Sequence, residues 1–481
     1  MSAWYDVLAT VSENRGAVLS DAQTTWTGPD FYARVSGAVK WMDTLGAPVG
    51  VPIVSLLAPS LDSMAISFAA AITRRATAPL STRLTRHELQ ACIAPLGAKV
   101  VLVDREHLDH ARAAAPSGVM VAVPEFASST NEIIDLAGPE DPPVLMHTSG
   151  TTGLPKLIRR TPVHPRPQAD GPPFHEMLRL GPGDVYATGS PMNHVAGLSM
   201  MVMALNAGAH VAMFGKFGPE NWTRLGKLGL THVTLVPTML DILVEDGVLA
   251  LPTLKLINYG AAPMPLPLLL KIMERMPDID FFMAYGQTEA GSLTALTVED
   301  HRHGRTDPRL LTSVGRALPG ITLNIDAPGP DGVGEVCARG SGFGPNQEDG
   351  WLHTGDLGYL DTEGFLHLAG RIGDMIIRGG ENIQPAEVER VLEAHPAIRD
   401  VAVVGVPDRR WGEIVGACYV LHGDAEPPSD KELAAYARKY LASFKTPVVW
   451  TAMAELPRNA AGKVLRKLLI ADLQARVATP T

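Results

Sequence analysis

Ser149-Gly150-Thr151-Thr152-Gly153-Leu154-Pro155-Lys156 follows the apolar run Val144-Leu145-Met146. The eight residues combine hydroxyls, glycines and one lysine in a loop after that apolar stretch. Glycines let backbone N–H groups converge on one concave site, the hydroxyls add donors, and the lysine adds charge without bulk. Such a loop is suited to holding phosphate. No Ser or Thr follows a Gly-Lys pair, so it is not a Walker A loop.

Outward from this loop, short β-rich runs alternate with helical patterns. Pro29 opens a predicted helix in which Phe31, Val35, Ala38, Val39, Met42 and Leu45 recur at three- and four-residue spacing, and Gly46 ends it. Val51–Leu57, Lys99–Val103, His210–Phe214 and His232–Val236 read as buried strands. Val51 to Ile72, the most apolar stretch, is interrupted by Pro59 and Asp62 and reads as strand, turn and buried helix, not as a membrane span. Five prolines between Thr161 and Pro173 predict an extended surface loop.

After Gly370 the pattern changes. Pro385 starts a predicted helix through about His395, Val401–Val406 and Ile414–Leu421 read as strands, and Ser429-Asp430-Lys431-Glu432 forms a capping box for a helix to about Leu441. The expected fold class is therefore α/β: a large N-terminal region of stacked α/β subdomains, residues 1–372, and a small mobile α+β domain, residues 373–481, joined at Gly370-Arg371-Ile372-Gly373-Asp374.

Composition narrows the partners. A net charge of −10 argues against nucleic acid and gives no attraction to anionic membranes, so any nucleotide must be held by local basic groups. Cys92, Cys337 and Cys418 are far apart and lack disulfide or zinc spacing, which suits a reducing cytoplasm. The N-terminus, with Asp6 and Glu13 and no basic start, does not read as a secretory signal.

Four motifs follow the phosphate loop in fixed order: Tyr285-Gly286-Gln287-Thr288-Glu289; Trp351-Leu352-His353-Thr354-Gly355-Asp356; Gly370-Arg371-Ile372-Gly373-Asp374 with Gly379-Gly380-Glu381-Asn382-Ile383; and Pro457-Arg458-Asn459-Ala460-Ala461-Gly462-Lys463. With the loop, they resemble the adenylate-forming superfamily of acyl-CoA synthetases, adenylation domains and luciferases, over essentially the whole chain. Joining a carboxylate to the α-phosphate of ATP brings two anions together, so the chemistry needs a cation, hydrogen-bond donors and a metal.

The resemblance implies a role for each motif. Thr148, Ser149, Thr151, Thr152 and Lys156 would hold the ATP phosphates. Tyr285 would stack on adenine, Thr288 would touch the α-phosphate, and Glu289 would coordinate Mg²⁺. Asp356, with Arg371 beside it, would accept from the ribose hydroxyls. Lys463 would bridge the carboxylate and the α-phosphate, so that Lys463, His194 and Glu289 form the catalytic set. Gly373 matches the hinge about which the small domain turns. Gly379 and Gly380 would flank the pantetheine arm of CoA, and Arg83, Trp411 and Phe444 match CoA-nucleotide contacts of aryl-CoA ligases. His194, in Pro191-Met192-Asn193-His194-Val195-Ala196-Gly197, would line the acid pocket with Asn258, Gly260 and Gly286. The family's α-amino acid adenylation domains place an aspartate near His194; none stands here, so the acid should lack an α-amino group.

Two departures from the family pattern stand out: Leu157 where glycine is usual, and Gly373 where the hinge is commonly aspartate or lysine. The proline-rich stretch after Arg160 also replaces a usually helical segment. The resemblance implies an ATP- and Mg²⁺-dependent acid–CoA ligase acting on a small-molecule carboxylic acid, with a slight preference for an aromatic or medium-chain acid. Transfer to a carrier protein or another nucleophile is the alternative. A catalytically silent nucleotide-binding protein of the same fold is disfavoured by the intact Glu289, Asp356 and Lys463, and no residue points to a luciferase-like oxygenase. Monomer and homodimer both stay open.

Overall fold

A computed structural model of the chain describes residues 1–139, 141–149, 155–160, 171–340, 343, 350–378, 381–423, 425–459 and 462–478. The chain divides into two compact units. One comprises Met1–Gly260, Asp278–Leu293 and Gly340–Asn346, the other Ala261–Pro277, Thr294–Arg339 and Gln347–Thr481.

The first unit is built on parallel strands. One sheet runs Met120–Ala122, Val100–Val103, Ile53–Leu56, Thr77–Pro79, β1 (Val144–Ser149) and β2 (Pro155–Arg160), all parallel until β2 turns back antiparallel on β1. A second runs β6 (Asp280–Gln287), β5 (Leu256–Gly260), β4 (His232–Leu235), β3 (Val185–Thr188), His210–Ala212 and Ala17–Ser20, with Thr25–Thr27 antiparallel at its edge. Val100–Val103 and His232–Leu235 are buried at every position, the signature of strands covered on both faces. The helix Gly28–Thr44 starts on a reciprocal Thr27–Asp30 cap, with Pro29 in its first turn and left-handed Gly46 beyond its end. The helix Leu61–Ile72 begins on Ser60 and is buried at all but one position, so it is core and not a membrane span. No helix among the described residues is long and apolar enough to cross a membrane.

The second unit holds two smaller sheets. Thr322–Asp326, β7 (Gly334–Arg339), β8 (Leu352–Leu360) and β9 (Leu366–Arg371) form an antiparallel four-stranded sheet. Glu381–Ile383, β10 (Ile376–Arg378), β12 (Gly412–Leu421) and β11 (Ile398–Asp408) form another, with β13 (Val449–Ala452) parallel to β12. Two apolar clusters cover its faces, one around Val388, Leu392, Val403 and Leu433 and one around Val404, Val406, Leu469 and Leu473.

Most predicted elements appear with shifted ends. The helix Pro385–Glu393 stops before His395, β11 is longer than its apolar stretch, and the helix after the Ser429–Glu432 capping box ends at Ala437. Propensity and caps place starts better than ends, because side-chain caps fix the first turn. The proline-rich prediction lies mostly on residues 161–170, outside the described residues.

Candidate active site

In the first unit, the phosphate-loop stretch is not all loop. Ser149 pairs with Pro155 and Thr148 with Lys156 in the β1–β2 hairpin, so strands claim both ends of the stretch. Thr151 and Thr152 lie outside the described residues, as do the side chains of Thr148, Ser149 and Lys156. Two neighbours that sequence reasoning missed are well placed. The ring nitrogens of His147 are buried without a hydrogen-bond partner among the described residues, and burial pushes this imidazole down to about 4, leaving it neutral. Arg160, at the end of β2, donates from Nη1 to the Thr288 carbonyl at 2.9 Å. Burial lowers its guanidinium below the usual arginine range, while Glu289 opposes that shift. One guanidinium thus ties the hairpin to the Thr288-Glu289 segment.

Tyr285, Gly286 and Gln287 end β6, and Ala290 N–H donating to Gln287 O at 3.2 Å turns the chain past Thr288 and Glu289. Gly286 is compulsory here: a Cβ would stand 1.9 Å from the Gly291 carbonyl oxygen. Asn258 and Gly260 lie on the adjacent β5, paired with Phe282 and Ala284 of β6. Buried Asn258 donates from Nδ2 to Thr234 Oγ1 at 3.0 Å, Tyr186 OH donates to the same oxygen at 2.7 Å, and Asn258 Oδ1 has no partner among the described residues. His194 is the N-cap of the helix Val195–Asn206, without a side-chain capping bond. Its Nε2 is buried and likewise unpartnered, and burial holds the ring below the usual histidine range. Orphaned buried polar atoms of this kind call for a ligand or water. Arg83 is exposed in the turn before the helix Arg86–Ile93.

The second unit gathers the remaining residues. Asp356 is 6% exposed and sits opposite Arg371, whose Nε donates to its Oδ1 at 2.5 Å. Between the pairs Glu335↔Leu357 and Cys337↔His353, three residues of β8, Thr354, Gly355 and Asp356, face only Val336 on β7. Such a bulge re-aims a side chain out of the pleat. Thr354 Oγ1 donates to Val336 O at 2.7 Å and accepts from Asp356 N–H at 3.1 Å, so one hydroxyl satisfies both a carbonyl and an N–H at the bulge.

Lys463 lies in a tight turn. Asn459 N–H donates to Lys463 O at 2.8 Å, Lys463 N–H to Asn459 Oδ1 at 2.9 Å, and Arg458 Nη1 to Gly462 O at 2.7 Å. The side chain keeps a solvent-exposed face, yet burial draws its ammonium below the usual lysine range. The Arg371 guanidinium adds to this shift, and Asp374 and Asp356 oppose it. Lysine, aspartate and arginine from three separate motifs therefore share one electrostatic neighbourhood.

Gly373 is exposed in a short 3₁₀ turn, Ile372–Asp374, with nothing within 4 Å of a hypothetical Cβ. Gly379 and Gly380 lie outside the described residues. Trp411 is 42% exposed, under the guanidinium of Arg410 at 5.2 Å and that of Arg378 at 5.8 Å, while Phe444 packs partly against the core. Arg378 also donates to the Phe444 carbonyl at 2.7 Å, linking the two aromatics, and Lys445 Nζ lies 5.8 Å over the Phe444 ring. These three basic residues were not singled out in the sequence.

Comparison with known proteins identifies the family. A 2-succinylbenzoate–CoA ligase of Geobacillus kaustophilus is 31% identical over 492 aligned positions, covering 98% of this chain and 97% of that one. The fatty acid–[acyl-carrier-protein] ligase ScoC of Streptomyces coeruleorubidus is 33% identical over 438 positions, 84% and 83% of the two chains. The solved structure of the Bacillus subtilis O-succinylbenzoate coenzyme A synthetase in complex with AMP matches with a TM-score of 0.82 at 27% identity, over 98% of each chain; the same enzyme is known in complex with ATP and a magnesium ion. Residues 6–345 match the AMP-binding enzyme family and residues 387–463 the AMP-binding enzyme C-terminal domain, and the chain belongs to this adenylate-forming family.

Proposed function

We propose that the protein is an ATP- and Mg²⁺-dependent acid–CoA ligase, which activates a carboxylic acid as acyl-AMP and passes the acyl group to CoA as a thioester. The observation that carries this reading is the buried Asp356 carboxylate held by Arg371 Nε at 2.5 Å, with the Lys463 ammonium near enough to feel both charges. Attack of a carboxylate oxygen on the α-phosphorus, with pyrophosphate leaving, builds negative charge that a pre-placed cation stabilises.

In the first unit, Thr148, Ser149, Thr151, Thr152 and Lys156 take the phosphates, Tyr285 stacks on adenine, and Thr288 meets the α-phosphate. Glu289, a partly exposed carboxylate in the field of Arg160, fits Mg²⁺, which when bound would neutralise phosphate charge. His194 and Asn258, whose Nε2 and Oδ1 are buried without a hydrogen-bond partner among the described residues, receive the acid, and Gly260 and Gly286 line its pocket with backbone alone. In the second unit, Asp356 and Arg371 hold the ribose.

The second half-reaction follows rotation of residues 373–481 about Gly373. The CoA thiol attacks the acyl carbon and AMP leaves, with Trp411 and Phe444 receiving the CoA nucleotide and Gly379 and Gly380 its pantetheine arm. An aromatic or medium-chain acid is the favoured substrate, as the 2-succinylbenzoate ligases among the relatives suggest. A carrier-protein thiol is the second reading, favoured by the ScoC relative. Three free, buried cysteines suit a cytoplasmic enzyme. Pyrophosphate release from Mg-ATP across benzoates, cinnamates and fatty acids, with and without CoA, tests the proposal. Acid-dependent release that CoA accelerates, with a thioester seen by mass, supports it; release indifferent to CoA points to a carrier protein.

A further inference from the structure

Glu335, Cys337 and His353 place their donor atoms within 4.8 Å of one another, the kind of grouping that can hold a metal. Cross-strand pairing on β7 and β8 creates it. Its members, however, already serve one another and the neighbouring backbone. His353 Nδ1 lies 2.8 Å from Glu335 Oε2 and 3.4 Å from Cys337 Sγ, and the second Glu335 oxygen, Oε1, accepts the Gly355 N–H at 2.9 Å. One carboxylate thus grips the bulge at its entry, His353, and at its apex, Gly355.

The apex needs that grip. Gly355 is left-handed, at φ +69°, and the bulge takes its backbone out of the β7–β8 ladder, so the Gly355 N–H loses its strand partner. An ionised acceptor satisfies such a donor more strongly than a neutral group would. Asp356 is the next residue, and its direction follows from the Gly355 conformation. Arg371 fixes the carboxylate from the β9 side, and Thr354 fixes its backbone N–H.

We propose that Glu335 is a positioning residue for substrate recognition: by holding His353 and the Gly355 N–H it sets the bulge that aims the Asp356 carboxylate at the ribose hydroxyls of ATP. This rests on the reading of Asp356 as the ribose acceptor. Glu335 acts through the bulge and touches no substrate itself. Its contribution is therefore specific to the hydroxyls, which separates it from a residue needed merely for folding.

The test compares kcat/KM for ATP and for 2′,3′-dideoxy-ATP in acid-dependent pyrophosphate release by the full-length enzyme, for wild type and the variants Asp356→Ala, Glu335→Ala and Glu335→Gln. Wild type should prefer ATP, and Asp356→Ala should erase the preference. Glu335→Ala should reduce it about tenfold, the scale of one lost charge-assisted hydrogen bond, with dideoxy-ATP turnover little changed. Glu335→Gln should keep most of it, since an amide oxygen still accepts the Gly355 N–H. Should Glu335→Ala fail to fold, Glu335→Asp, too short to span both partners, takes its place with the same expectation. Equal losses on both nucleotides would overturn the proposal, as would an unchanged preference in Glu335→Ala alongside a lost one in Asp356→Ala. A wild type indifferent to the ribose hydroxyls would overturn the ribose reading first and the proposal with it.

Discussion

Arg371 and Asp356 face each other across β9 and β8, with Nε 2.5 Å from Oδ1, and the same guanidinium adds to the lowering that burial imposes on the Lys463 ammonium. One cation therefore acts on two residues of the proposed chemistry. It orients the aspartate and brings the lysine closer to losing its proton.

The pH dependence of adenylation should show this. Lys463 must be charged to stabilise the phosphate, so activity falls as pH rises through its pKa, which burial and Arg371 set below the usual lysine range. Replacing Arg371 by Gln removes one lowering influence, so the alkaline limb should move to higher pH even though ATP binding weakens. A limb at unchanged pH in Arg371→Gln would separate the two residues.

Trp411 is exposed outside the apolar core and lies under Arg378 and Arg410, so trimming it should spare the core. Trp411→Ala is expected to raise the KM for CoA about tenfold, in line with one lost base–aromatic stack, and to leave acid-dependent pyrophosphate release without CoA unchanged. No change in KM for CoA would favour a carrier-protein acceptor.

Two glycines of the motifs should differ sharply in their tolerance of alanine. A Cβ on Gly286 would meet the Gly291 carbonyl oxygen at 1.9 Å, a backbone atom with nowhere to go, whereas one on Gly373 meets nothing within 4 Å. Gly286→Ala should cost about 3 kcal/mol or more, a strain-class effect, and Gly373→Ala about 0.5 kcal/mol or less, read by thermal or denaturant unfolding.

Glu393, at the end of the helix Pro385–Glu393, has its carboxyl pushed up to about 7, first by burial and then by Glu389 and Asp400. The folded state thus keeps a proton that the unfolded chain releases near 4.5. Its contribution to stability is complete below that value and is lost as pH rises through about 7. Glu393→Gln should therefore unfold at a higher temperature than wild type at pH 8 and show no such gain at pH 4. A gain independent of pH would contradict the assignment.

Much of this was legible in the sequence because the adenylate-forming motifs are local strings. Tyr285 to Glu289, Asp356 and Lys463 can each be found without knowing what lies beside them. Buried parallel strands were legible too, since coverage on both faces leaves continuous apolar runs. Arg160, His147 and Glu335 were not legible. Arg160 matters through a carbonyl 128 residues away, and Glu335 through a register shift that no spacing along the chain encodes. The phosphate loop was read too long for a related reason: glycine and hydroxyl content signals a turn, but pairing with β2 draws Ser149, Pro155 and Lys156 into strands.

The most direct measurement is of the two half-reactions in Lys463→Ala. Acid-dependent pyrophosphate release should drop at least about 100-fold, the scale of a lost transition-state cation, while thioester formation from supplied acyl-AMP and CoA stays within about threefold of wild type. Equal loss of both half-reactions, or retained pyrophosphate release, would contradict the placement of Lys463 at the adenylation step.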